Sequence, residues 1–139
     1  MTTYRPTIHT QADLERAWRH LMSPLDFASR QVWIMLVDDA GTPVPHLIEI
    51  TDLDDLPDAT GLRSGAEVLR LLVDEVGVPG IRVAFLITRP GRDGVRSTDR
   101  PWAGSLHDLA RRAGVRCEPV HLATDARVVP IPLDELDAA

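Results

Sequence analysis

Lysine and asparagine are missing from the whole 139-residue chain, so every fixed positive charge is an arginine. We read that bias as genomic base composition rather than a binding signal, because compositional extremes are priors and not mechanisms. Cysteine is nearly absent too. The one thiol, Cys117, excludes an intramolecular disulfide framework and any zinc site built mainly on thiolates, and it suits a reducing compartment. No stretch approaches the ~18 apolar residues of a membrane span, and residues 1–10 lack the apolar centre of a signal peptide. A cytoplasmic protein without membrane attachment is expected. Excess positive charge is also lacking: the net charge is −6, which repels a nucleic-acid backbone at long range unless the arginines gather on one face. Nucleic acid is therefore disfavoured as a partner.

What is present suits one packed domain over residues 1–139. Hydrophobic residues make up 44% and charged residues 26%, close to the globular average, and the length is that of a single ordinary domain. Thr10 and Asp13 form a helix-start pair, after which Leu14, Ala17, Trp18 and Leu21 recur at helical spacing. The apolar run Gln31 to Val37, the turn signal Asp38 to Gly41 and the apolar stretch Val44 to Ile50 predict a β-hairpin. Thr51 to Thr60 is acidic but lacks the central Gly and terminal Glu of a calcium loop, so it reads as a solvated loop.

Ser64 to Glu67 spells a capping box, and the helix it opens carries Val68, Leu69, Leu72 and Val76 before Gly77. Arg82 to Thr88 is almost continuously apolar, the pattern of a central strand covered on both faces. A Gly- and Arg-rich loop follows from Arg89 to Thr98. Asp99 then caps a helix with Pro101 in its first turn and Trp102, Leu106, Leu109, Ala110 and Ala113 on one face, ending at Gly114. Arg116 to Thr124 and Arg127 to Ile131 predict two strands joined by a tight turn, with Pro119, Pro130 and Pro132 marking edges or interruptions. Leu133 to Ala139 is expected to fray. The order α-β-β-α-β-α-β-β asks for an α/β fold with a mixed sheet flanked by helices.

The segment Leu86-Ile87-Thr88-Arg89-Pro90-Gly91, followed by Ser97-Thr98-Asp99 at a helix start, resembles the metal-binding half of the JAB/MPN domain, specifically its RadC-like branch. The resemblance covers about Thr10 to Leu136 and rests on order and spacing more than on identities. It implies a three-layer, cytidine-deaminase-like architecture. In that family a His-x-His-Pro motif and a Ser-x-x-Asp motif hold zinc, a Glu on an earlier strand is the general acid/base, and metal-activated water hydrolyses an amide bond. Aligning Pro90 on the motif proline puts Ile87 and Arg89 at the His positions, and Arg30, or its neighbours Ser29 and Gln31, where the Glu belongs. Isoleucine offers no lone pair and Arg repels a cation, while Asp99 sits one residue short of the motif spacing. The resemblance therefore implies a degenerate site with no zinc, no catalytic residue and no metal-dependent hydrolase activity; no other cofactor is expected. The same element order also suits other three-layer α/β folds.

Five histidines, His9, His20, His46, His107 and His121, are scattered without a metal-ligand spacing and read as structural or surface residues. Cys117 and His121 lie four residues apart, about 13 Å on a strand, so Cys117 reads as inert. Arg89, Arg92, Arg96 and Arg100, partly offset by Asp93 and Asp99, surround the degenerate site and are able to clamp an anion or a carboxylate-bearing partner. Trp18, Trp33 and Trp102 fall on or beside apolar faces, and Trp102 is also placed to line a pocket at that loop. The expected function is a non-catalytic protein-interaction or dimerisation module whose surface holds Arg89, Arg92, Arg96, Asp99, Arg100 and Trp102. The alternative is metal-independent binding of, or chemistry on, a small anionic ligand in the crevice at the strand ends.

Overall fold

Thr10 opens the first helix, α1 (Gln11–Met22): its side chain accepts from the Asp13 N–H while the Asp13 carboxylate reaches back to the Thr10 N–H. Leu14, Ala17, Trp18 and Met22 are buried, whereas Leu21 is exposed and Met22 takes the last core position. The computed structural model describes residues 7–44, 47–50 and 55–132. His46, most of the acidic segment's first half and the tail Leu133 to Ala139 lie outside them.

The hairpin forms as β1 (Gln31–Val37) and β2 (Ile48–Ile50), with Asp38 accepting from the N–H groups of Ala40 and Thr42 in the turn. The second helix, α2 (Ala59–Val76), starts five residues before the expected capping box. Asp58 is its N-cap, accepting from the Gly61 N–H, so Ser64 to Glu67 fall inside the helix. Its core face is Ala66, Leu69 and Val73, while Val68, beside that face, is 55% exposed.

The central strand, β3 (Arg82–Thr88), has the expected bounds and pairs with β1 along all seven residues, from Gln31 opposite Thr88 to Val37 opposite Arg82. Then follow α3 (Asp99–Ala113), β4 (Arg116–Cys117), β5 (His121–Ala123) and β6 (Val128–Pro130). The single strand expected over residues 116–124 is broken in two because Pro119, with no N–H to give, interrupts the ladder. The sheet order is β2-β1-β3-β5-β6, with β4 pairing the start of β3. Strands β4 and β5 run parallel to β3, and the other pairs are antiparallel.

This is a mixed sheet flanked by helices on both faces. Alternate residues of β1 divide the core. Val32, Ile34 and Leu36 pack with Leu69, Phe85, Trp102 and Leu106 under α2 and α3, whereas Met35 and Val37 pack with Leu14, Trp18 and Leu86 under α1. Because β3 and β5 are parallel neighbours, the loops that leave their carboxyl ends emerge side by side, as do the segment before β1 and the start of α3.

Candidate functional site

Four segments converge at that end of the sheet. Arg89 continues β3 by one residue, its N–H donating to the carbonyl of Ala123 (3.1 Å). It shares a face with Ile87, so its side chain runs beneath the start of α3. There its Nε and Nη2 donate to both oxygens of Asp99, at 2.9 and 2.8 Å, and Nη2 also reaches the carbonyls of Gly94 (2.7 Å) and Asp93 (3.2 Å). Nη1 points to the Pro90 carbonyl at 3.5 Å. Both side chains are buried.

Asp99 was expected to cap α3. Instead Thr98 occupies the N-cap without a side-chain cap bond, and Asp99 is the first helical residue with its carboxylate turned back to Arg89. It also accepts from the Arg96 N–H (2.8 Å). Burial works against its charge, but the hydrogen bonds from Arg89 and Arg96 and the charges of Arg89 and Arg30 outweigh it and hold the carboxyl below its usual range. A carboxylate with two arginines beside it and a backbone N–H upon it has no proton to give and little basicity to offer.

Arg30, in the segment before β1, completes the cluster. Its Nη2 lies 3.6 Å from Asp99 Oδ1, and its guanidinium carbon sits over the Trp102 ring, 5.7 Å from the centroid. Trp102 itself is buried, as its place on the apolar face of α3 predicts. The Nε of Arg30 is buried without a hydrogen-bond partner among the described residues.

The loop between β3 and α3 is held from below by Asp125, in the β5–β6 turn. Its Oδ2 accepts from the Gly91 N–H (2.8 Å), its Oδ1 from the Phe27 N–H (2.9 Å), and its own N–H donates to the Gly91 carbonyl (2.8 Å). Those two backbone donors hold the Asp125 carboxyl below its ordinary value. Gly91 has φ of 100°, a left-handed region that a side chain would strain. Arg92 is exposed on this loop, Arg96 pairs with Asp93 at 2.9 Å, and Arg100 is partly buried on the first turn of α3.

The expected surface thus separates into two layers. Arg89, Asp99 and Trp102 are buried scaffolding, and the Arg89 and Asp99 side chains are spent on each other rather than free to clamp a ligand. Arg92 and Arg96, the latter paired with Asp93, form the exposed rim, and Arg100 is partly buried beside them. Arg30 was singled out in the sequence by alignment alone and not as part of the surface; Asp125 was not singled out. The signal for Asp125 was its place in the turn after β5, beside the end of β3, legible only once β3 and β5 are known to be neighbours.

Elsewhere, His9 and His20 are exposed, His107 is partly buried and His121 is fully buried. Among the described residues no three His, Cys, Asp or Glu side chains converge as a metal-ligand set. Cys117 is partly buried, and desolvation, with Glu118 beside it, pushes its thiol up to about 12, far from a reactive thiolate. It lines an open cavity of about 580 Å³ at the opposite end of β3 with His9, Asp39, Arg82, Arg116 and Glu118. A second cavity of about 520 Å³ lies between α2 and α3, lined by Arg63, Glu67, Arg70, Leu71 and Arg112. Neither reaches the strand-end cluster. Comparison of the chain with family models, curated proteins and solved structures finds no match.

Proposed function

We propose that this chain is a catalytically inactive JAB/MPN-like domain, of the RadC-like branch, that works as a protein-interaction or dimerisation module through the rim of its strand-end loop. The observation that carries the reading is the buried Arg89–Asp99 pair. On the resemblance, zinc would sit between the ends of β3 and α3, held by two imidazoles and a carboxylate. Here one imidazole position bears a side chain with no lone pair, Ile87, and the other a fixed cation, Arg89. The carboxylate beside them, Asp99, already accepts from Arg89 and the Arg96 N–H. These residues do not fit a zinc ion, and no hydrolytic step is derived through one.

The arginine that displaces the metal also explains why the loop keeps a defined shape without it. Arg89 ties the Asp93 and Gly94 carbonyls to Asp99, and Asp125 ties Gly91 to the far side. A loop held on both sides that presents Arg92 and Arg96 suits recognition of another protein better than turnover, since Asp99, kept ionised by its donors, is no poised base.

Native mass spectrometry of untagged protein, incubated with equimolar zinc, tests the reading. The expected spectrum is metal-free and holds more than one subunit, with the charge-reversal pair Arg92→Glu and Arg96→Glu shifting it to monomer. A stoichiometric zinc adduct overturns the inactive-site reading. A metal-free monomer restricts the interaction to a different protein.

A further inference from the structure

We propose that the open cavity at the amino end of β3 is a binding site in its own right, and that it takes a small zwitterion: an amino acid or short peptide with a free ammonium and a free carboxylate. This inference is independent of the interaction-module reading, since it uses none of the strand-end residues.

Two strands flank β3 at this end. Just beyond β1, Asp39 packs against Gly80, which has φ of 74° and where an added Cβ would lie 3.0 Å from the Asp39 Cβ. On the other flank, β4 runs parallel to β3 and sets Arg116 in register with Arg82. Like charges placed directly across a ladder repel each other. Glu118 answers only one of the two: its carboxylate pairs with Arg82, whose Nη2 also donates to the Ile8 carbonyl (3.1 Å). Arg116 is exposed and, like Asp39, its side chain makes no hydrogen bond or ion pair to a described residue. A carboxylate brought to Arg116 therefore offsets a repulsion that the fold leaves standing.

Asp39 and Arg116 line the same cavity of about 580 Å³ without pairing. They stand on opposite flanks of β3, so their backbones are two strand spacings, roughly 10 Å, apart. A molecule one or two residues long bridges that gap, with its ammonium on Asp39 and its carboxylate on Arg116. Charge selects the same class. Arg82 and Glu118 cancel, Asp39 balances Arg116, and the Cys117 thiol stays protonated, so apart from His9 the lining carries no net charge. A dicarboxylate meets repulsion from Asp39 and Glu118, and a diamine from Arg82 and Arg116. A zwitterion meets the opposite charge at both ends.

Amide NMR titration of isotope-labelled protein at low ionic strength tests the assignment. The probes are alanine and alanylalanine, with N-acetyl-alanylalanine and alanylalanine amide as forms that each lack one charge. Wild type should bind a zwitterion with shifts at the amides of Gly80, Arg82 and Arg116, and the tighter of the two distinguishes a free amino acid from a peptide. Each blocked form should bind about threefold to tenfold more weakly. Arg116→Gln should bind alanylalanine no better than its amide, and Asp39→Asn no better than its acetylated form, because each variant removes the group that reads one end. Arg116→Lys, which keeps the charge, should recover part of the affinity. No shift at these amides with either zwitterion, equal binding of a blocked form by wild type, or undiminished zwitterion affinity in Arg116→Gln or Asp39→Asn overturns the assignment. The pair Arg92→Glu and Arg96→Glu should leave this titration unchanged, so the interaction-module reading stands or falls separately by its zinc spectrum and subunit count.

Discussion

At the scale of single residues, the Arg89–Asp99 pair decides both chemistry and stability. A buried pair contributes little relative to an apolar replacement, but breaking it leaves one charge stranded. Asp99→Asn strands Arg89, which is only 3% exposed, beside a neutral amide. We expect a loss of about 3–5 kcal/mol, measured as a fall in the urea midpoint with an unchanged slope. The double change Arg89→Met with Asp99→Leu should restore part of that stability, because no fully buried charge is then left unpaired, although the partly exposed Arg30 loses Asp99 and the Asp93 and Gly94 carbonyls lose their donor. Sequence reasoning found both residues but gave Asp99 a cap and Arg89 a ligand. It failed there because the two are ten positions apart, and only the return of α3 over β3 makes them neighbours.

At the scale of elements, the loop between β3 and α3 is ordered by contacts from outside itself. Asp125 bonds Gly91 on both sides and Phe27 on a third segment. Asp125→Ala should therefore raise amide exchange at Gly91 and Phe27 by tenfold or more while the amides of β3 keep their protection. Equal protection in the variant would mean that the Arg89 bonds alone hold the loop. Other element-level expectations met their limits in short-range competition. The spelled capping box at Ser64 lost to Asp58, which caps the same helix earlier through Gly61. The face itself follows the 3.6-residue period through Ala66, Leu69 and Val73, from which Val68 is turned aside, so Leu69 is buried and Val68 is not. Pro119, read as an interruption, divides β4 from β5 as its missing N–H requires.

At the scale of the whole molecule, burial of histidines sets how stability responds to acid. His121 is fully buried; desolvation pushes its pKa down, against a carbonyl hydrogen bond at Pro119 and the opposing charges of Glu15 and Glu118. His107 is likewise lowered by burial. A histidine whose folded pKa is depressed stays neutral in the fold and charges in the unfolded chain, so its stability contribution is present above about 6.5 and is lost as pH falls below it. Melting temperature should drop between pH 7.5 and 5.5, and His121→Gln should flatten that drop. A second, separate loss is expected near and below pH 4. There Asp99, held ionised in the fold, must take up a proton, and its contribution fades as pH falls through its lowered folded value.

The sequence by itself determined the class of fold, the bounds of β3, the capping of α1 and the tight turn at Thr124, because each is set by interactions within a few residues: hydrophobic period, side-chain caps and turn donors. Only the tertiary structure decided which arginines are spent and which are reachable. That distinction depends on burial and on partners 10, 69 and 98 positions apart, as for Arg89 with Asp99, Arg30 with Asp99 and Phe27 with Asp125. Such pairings are made by sheet order and helix return, and no local pattern of residues encodes them.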